Sequence, residues 1–362
     1  MNLNPAKIPD SFLNMSVDDL NERIIEIKVK LGKRLQILGH HYMSDEVIAH
    51  ADERGDSFAL AKIAAQTDAE FIVFCGVHFM AETADIVTAS NQKVFIPDPG
   101  AGCFLADCAR IRDVENVWRE IETVSSHKII PITYVNSGAD MKAFCGDNGG
   151  LVCTSSNAAV ALKWAFERGD KVIFFPDQHL GRNTAFALGI ALEEIILWNP
   201  DEALGGNSLD SIKQAKVILW DGFCIVHQEF DVGYIEKLRQ VDPQINIIVH
   251  PECDFSVAQA ADFMGSTAYI IRMISAAQPG SHWAVATEKN LVNRLKSSYP
   301  DKRIEILQSF EPYCKSMAQI TLTKLAYQLD QIDRGNLINQ VIVDDQYVIS
   351  ARIALNRMLE LT

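Results

Sequence analysis

Three stretches of the chain share one plan: LQILGHHY at residues 35–42, IIPITYVN at 129–136 and INIIVHPE at 245–252. Each is a short apolar run that ends in polar side chains. These are His40, His41 and Tyr42, then Tyr134 and Asn136, then His250 and Glu252. Apolar runs of this length, rich in Ile, Leu and Val, read as buried strands. A small hydroxyl-bearing motif that opens a helical stretch follows each one: GDS at 55–57, TSS at 154–156 and GST at 265–267. A second strand with a polar end comes next, at 71–78, 172–179 and 283–289. A third then runs into one cysteine, at 93–103, 216–224 and 303–314. His78 to Cys103 is 25 residues (103 − 78), and Lys289 to Cys314 is also 25 (314 − 289). His179 to Cys224 is 45 (224 − 179), an excess of 20 that coincides with the turn-rich stretch 199–211, read as an insertion. The chain is thus read as a threefold internal repeat.

Strands that alternate with helices imply parallel sheets covered by helices. The expected fold is α/β. It comprises three similar three-layer αβα units with short parallel sheets, in a pseudo-threefold arrangement around a central cluster site. The units are expected at 1–108 with an N-terminal helix, 109–226 with the insertion near 199–211, and 227–362 with a C-terminal helical tail. The first helix is expected over Val17–Leu31, with Leu20, Ile24, Ile27 and Leu31 on one face, Ser16 as its cap and Gly32 at its end. In the tail, Leu322, Leu325, Leu329 and Ile332 mark an amphipathic helix, and its docking partner is left open.

Composition narrows the function. The 362 residues are 48% hydrophobic, enough to bury substantial cores. Lys plus Arg number 33 against 47 Asp plus Glu, a net charge of −14, which argues against nucleic acid or an anionic membrane as partner. The start, Met1 to Pro5, lacks a leader pattern, and no apolar run reaches the ~18 residues of a membrane helix. A soluble, cytoplasmic protein is expected. Eight cysteines without a secretory signal do not suggest a disulfide framework, and no C-x-x-C pair is present. The glycines of GAG at 100–102 lack the third glycine of a dinucleotide fingerprint, so no NAD site is read there.

In open parallel sheets, functional residues gather at the carboxyl ends of strands. Cys103, Cys224 and Cys314 occupy equivalent points of the repeat, and three thiolates suit zinc or an iron–sulfur cluster. A cubane held by three thiolates leaves one iron open as a Lewis acid. Cys108, five residues after Cys103, is the main competitor in the first copy. Ser57, Ser155, Ser266 and Thr267 lie where helices begin, so they either cap those helices or bind anions beside the helix N–H groups. His40 and His250 stand at matching strand ends, able to pair with a carboxylate or carry a proton. Glu252 shares a strand face with His250 and suits a general base. Tyr42 and Tyr134 occupy matching places, and they and Asn136 are hydrogen-bond donors there.

The motifs LGHHY at 38–42, GDS at 55–57, VFCGVHFMAE at 73–82, YVN at 134–136, CTS at 153–155, PDQHLG at 176–181, GFCIVH at 222–227, HPEC at 250–253 and GST at 265–267 run in order along the chain. Together they resemble the quinolinate synthase family over nearly the whole length. The first motif reads Leu-Gly-His where Leu-Ala-His is commoner, and Cys314 lacks the nearby extra cysteines of some relatives. The resemblance implies three αβα domains around one [4Fe–4S] cluster with ligands Cys103, Cys224 and Cys314. It implies a condensation of iminoaspartate with dihydroxyacetone phosphate to quinolinate, phosphate and two waters. Glu252, Tyr42, Tyr134, His40 and His250 are then the catalytic candidates. His40, Ser57, Tyr134, Asn136, Ser155, His250, Glu252, Ser266 and Thr267 are the substrate-binding candidates. His78, Glu82, His179 and His227 are read as orienting or structural. A transient contact with an aspartate-oxidising enzyme is a further expectation. Rival readings are a related iron–sulfur hydro-lyase, a non-catalytic iron–sulfur sensor and a zinc hydrolase on the same thiols.

Overall fold

The computed structural model describes residues 7–361. Residues 1–5, read above as lacking a leader, lie outside the described residues, as do residue 6 and residue 362, the last position of the third expected unit. The chain is α/β, with three short, mostly parallel sheets flanked by helices.

The three sheets share a strand order. Each repeat contributes four strands, with the first lying between the short second and the third, and the fourth beyond the third. The first sheet runs Glu53–Gly55, Leu35–His40, Phe71–Cys75, Lys93–Phe95. The second runs Leu151–Cys153, Ile129–Tyr134, Lys171–Phe175, Val217–Trp220, and the third Phe263–Met264, Asn246–Val249, His282–Ala286, Arg303–Ile306. All these pairings are parallel. The short second strand is absent from the sequence reading because two or three residues carry no periodicity. The central strands are buried on both faces, which accounts for their continuous apolar runs: Ile129–Tyr134, Lys171–Phe175 and Val217–Trp220 are buried throughout.

Two sheets gain an outer strand. Gln340–Val341, from the tail, pairs antiparallel with Lys93–Phe95. Ile195–Trp198 pairs parallel with Val217–Trp220. The excess in the second copy is therefore structured rather than a bare loop. It holds that strand, the 3-10 turn Ala203–Gly206 and the helix Leu209–Gln214.

The chain divides into two compact units. One takes in the chain up to Cys103 together with Tyr313–Asp344 and contains the first sheet. Its first helix forms as expected: Ser16 accepts from Asp19 N–H in a capping box, Leu20, Ile24, Ile27 and Leu31 are buried, and Gly32 closes the helix at φ 52°. The helix Leu322–Asp333 packs on it, with Leu322, Leu325, Leu329 and Ile332 buried. Arg23 reaches across to the buried Asp330 carboxylate with Nε at 3.1 Å and Nη2 at 2.7 Å.

The other unit comprises Phe104–Pro312 and the residues from Asp345 on, and contains the second and third sheets. The helix Asp345–Glu360 lies across Ala139–Asp147. The approach is so close that a Cβ built on Gly146 would fall 1.9 Å from the Ser350 carbonyl oxygen. A methyl group there cannot be accommodated without moving one helix off the other. Gly146→Ala should therefore cost about 1–3 kcal/mol of stability by overpacking. The check is a lowered denaturation midpoint together with faster proteolysis of the C-terminal helix.

Candidate active site

One hydrogen bond recurs in all three copies. His78 N–H donates to the Ala101 carbonyl at 2.8 Å, Gln178 N–H to Gly222 at 2.9 Å and Lys289 N–H to Pro312 at 2.9 Å. Each donor is the first residue of a helix: His78–Val87, Gln178–Ala187 and Lys289–Ser298. Each acceptor lies two residues before Cys103, Cys224 or Cys314. First-turn N–H groups have no partner inside their helix, so here they anchor the cysteine segments. The residue equivalent to His78 and Lys289 is thus Gln178, one position before His179. After the cysteines the chain turns again: 3-10 turns begin three residues on at His227–Glu229 and Met317–Gln319, and a short helix, Phe104–Asp107, follows Cys103.

Burial sorts the eight cysteines. Cys75, Cys145, Cys153 and Cys253 are buried. Burial pushes the Cys75 thiol up to about 12 and raises the other three as well. Thiols so disfavoured as thiolates are poor metal ligands. Cys103, Cys224 and Cys314 are half-buried. Cys108 is too, but its sulfur donates to the Phe104 carbonyl at 3.3 Å and burial raises its thiol. Its Cβ also packs under Gly222, where an added methyl would sit 2.8 Å from that Cβ and 2.4 Å from the Pro176 carbonyl oxygen. Gly222 is therefore required by close approach, directly before the Cys224 turn.

Glu252 is the centre of a buried polar cluster in the larger unit. The Tyr134 hydroxyl donates to its Oε1 at 2.5 Å, joining the second sheet to the third. His227 Nδ1 lies 2.9 Å from its Oε2, and the His227 ring stacks on His250 at 4.5 Å between centroids. Burial alone raises the Glu252 carboxyl. The facing His227, with the hydrogen bonds from His227 and Tyr134, outweighs it and holds the group well below the usual carboxylate range. The Cys224 sulfur, a His227 nitrogen and a Glu252 oxygen all lie within 4.8 Å of one another. Asn183, fully buried on the helix Gln178–Ala187, donates to the Pro251 carbonyl at 2.9 Å and to that of Cys253 at 2.8 Å, so it clamps the Glu252 backbone from both sides.

The histidines at the strand ends are held alike. Tyr42 N–H donates to His40 Nδ1 at 3.2 Å, and Glu252 N–H to His250 Nδ1 at 3.4 Å. With Nδ1 accepting, each neutral ring carries its proton on Nε2, ready to donate. Burial, helped by His227 and opposed by Glu252, brings His250 down to about 3, so it is neutral near pH 7.

The hydroxyl motifs divide their labour. Asp56 and Ser266 take the caps, accepting from Ala59 and Tyr269 N–H. Ser57 and Thr267 are the first residues of those helices. Ser155 is half-buried in the turn before Ala158–Phe166, which Asn157 precedes. Val135 N–H donates to the Cys153 carbonyl at 2.8 Å, as His41 N–H does to Gly55 at 3.1 Å. The third copy has Pro251 at that point, which has no N–H, and uses Gly265 N–H to Val249 at 3.0 Å instead. Asn136 Oδ1 is buried without a hydrogen-bond partner.

Thus Tyr134, Cys224, His250 and Glu252 are brought together in one unit, while His40, Tyr42, Ser57, Cys103 and Cys314 belong to the other. Sequence reasoning missed three residues of the Glu252 cluster. His227 is read from sequence as orienting or structural, and its place three residues after Cys224 already puts it one turn away. Asn183 carried no signal. Asp177, at the end of the strand Lys171–Phe175, is fully buried. Burial, reinforced by Glu252, pushes its carboxyl well above the usual range despite backbone N–H donors.

No helix among the described residues is long and apolar enough to cross a membrane. The sequence model of the quinolinate synthetase A protein family matches residues 22–360. The chain is 48% identical over 356 residues to the quinolinate synthase of Herpetosiphon aurantiacus, covering 97% of this chain and 95% of that one. It is 50% identical over 357 residues to those of Bacillus cereus strain B4264 and Bacillus mycoides strain KBAB4, covering 98% of this chain and 96% of each. With this geometry and these full-length likenesses, the chain belongs to the quinolinate synthase family of enzymes.

Proposed function

We propose that the chain condenses iminoaspartate with dihydroxyacetone phosphate to quinolinate, releasing phosphate and two waters, in the cytoplasm. The atoms balance without an oxidant or reductant. The carrying observation is the threefold anchor, which leaves Cys103, Cys224 and Cys314 half-buried at equivalent strand ends while four other thiols are buried and disfavoured as thiolates. By the family resemblance these three residues would hold a [4Fe–4S] cluster, whose remaining iron would supply Lewis acidity for loss of water.

The protein's own residues bind substrate and move protons. Glu252 Oε1 takes a proton from the carbon of iminoaspartate that becomes the nucleophile, and Tyr134 Oη, hydrogen-bonded to that oxygen, steadies the charge. The Nε2–H groups of His40 and His250 donate to carboxylate or carbonyl oxygen. Asn136 Oδ1, buried and unpartnered, accepts from a substrate N–H. Ser57, Ser155, Ser266 and Thr267, at or beside helix starts, receive carboxylate or phosphate, as a protein of net charge −14 requires of its helix ends. Tyr42 donates to the developing enolate oxygen. Iminoaspartate hydrolyses in water, so an aspartate-oxidising enzyme in transient contact with this one is part of the reading.

Anaerobically purified protein given both substrates should form quinolinate, and absence of product refutes the assignment. Cys103→Ser, Cys224→Ser and Cys314→Ser should each lose bound iron and sulfide, whereas Cys108→Ser should keep them; elemental analysis reads the result. Glu252→Gln should retain iron and sulfide but lower kcat by about 10²–10³-fold, the scale of a lost general base. His250 at about 3 and His179, brought to about 4 by burial and by Arg182, compare with 6.5 in an exposed chain. The unfolded chain binds more protons across that interval, so their contribution is complete above about pH 6.5 and is lost as pH falls towards 4. Thermal melts of the apo-protein should show this acid limb, and His250→Gln should flatten it.

A further inference from the structure

We propose that, when no cluster is bound, the chain holds one divalent transition-metal ion of the zinc class at Cys224, His227 and Glu252. This goes beyond the reading above and shares only Cys224 with the cluster ligands.

The donor atoms are already gathered, since the sulfur, the imidazole nitrogen and the carboxylate oxygen lie within 4.8 Å of one another. Around a tetrahedral zinc with bonds of about 2.0–2.3 Å, such atoms are separated by about 3.3–3.7 Å. The rearrangement needed is therefore about 1 Å of side-chain rotation, not a refolding. His227 Nδ1 and Glu252 Oε2 face each other at 2.9 Å, a hydrogen-bonding separation, and a metal ion would take the place of the proton between them. Both groups are buried, at 1% and 3% exposure, so the pair is shielded from water.

The groups behind the ligands are in place too. His227 Nε2 lies 3.4 Å from Thr287 Oγ1, which leaves Nδ1 as the coordinating atom, and the ring is braced by its stack on His250. Tyr134 Oη occupies Glu252 Oε1, so Oε2 is the oxygen turned to His227. Metal-bound histidine and carboxylate normally rest on such outer partners. The charges also match. A dication with one thiolate and one carboxylate is neutral overall, the least costly state for a buried site. Three protein ligands leave a fourth position for water, as in catalytic zinc sites. An ion there withdraws both Cys224 from the cluster and Glu252 from proton transfer, so zinc opposes cluster loading.

The test is anaerobic titration of the apo-protein with Co²⁺, followed by back-titration with Zn²⁺. Wild type, Cys103→Ser and Cys314→Ser should each show a thiolate-to-cobalt charge-transfer band saturating at one equivalent and abolished by zinc. Cys224→Ser should lack the band. His227→Ala and the shape-preserving Glu252→Gln should bind cobalt at least 10-fold more weakly, with circular dichroism confirming that each is folded. Zinc-loaded wild type should also take up iron and sulfide more slowly than apo-protein. No band in wild type, loss of the band in Cys103→Ser or Cys314→Ser, or undiminished affinity in folded Glu252→Gln each overturns the proposal. Cobalt binding as expected in a protein that makes no quinolinate leaves this site standing and refutes only the reaction assigned above.

Discussion

Three backbone hydrogen bonds, from the first N–H of a helix to the carbonyl two residues before a cysteine, set where Cys103, Cys224 and Cys314 can be. The donor is an amide that every helix start leaves unused, so the bond needs no particular side chain. His78, Gln178 and Lys289 fill the same role with unrelated side chains. The strand before the helix and the strand leading to the cysteine are neighbours in each sheet: Phe71–Cys75 with Lys93–Phe95, Lys171–Phe175 with Val217–Trp220, and His282–Ala286 with Arg303–Ile306. The cysteine position is thus a consequence of strand pairing, which is why it survives an inserted strand and helix in the second copy.

The second constraint is electrostatic. Glu252 stays ionised in a buried place only because Tyr134 and His227 each face one of its oxygens. Its neighbour Asp177 accepts backbone N–H groups but leaves Oδ2 unpartnered, and it is driven the other way, towards the protonated acid. Two carboxyl groups in one buried region are thereby pushed apart in acidity by what surrounds them. Asn183 adds the mechanical part, holding the carbonyls on either side of Glu252 so that the carboxylate cannot drift from the tyrosine.

Much of this was legible in the residues. The first helix, its Ser16 cap and its Gly32 end follow from spacing and capping chemistry, and the amphipathic pattern at Leu322, Leu325, Leu329 and Ile332 marks a helix that does form. The short strands Glu53–Gly55, Leu151–Cys153 and Phe263–Met264 were not legible, because too few residues carry the alternation. Nor was the course of the tail, which sends one helix to Val17–Leu31 and the next to Ala139–Asp147. The register of the second copy was misjudged by one residue, since His179 is the conspicuous side chain while the working group is the amide of Gln178.

The sequence by itself determined the α/β repeat, the three equivalent cysteines and the residues at the strand ends, because these are periodic and local and need only strand and helix geometry to be read. The tertiary structure alone decided which atoms meet. Tyr134 and Glu252 are 118 positions apart, Asn183 and Pro251 are 68, and nothing local in either partner announces the other. Acidity is of the same kind. Whether a carboxyl is held ionised like Glu252 or protonated like Asp177 depends on burial and on neighbours from other strands, and those exist only once the chain has packed.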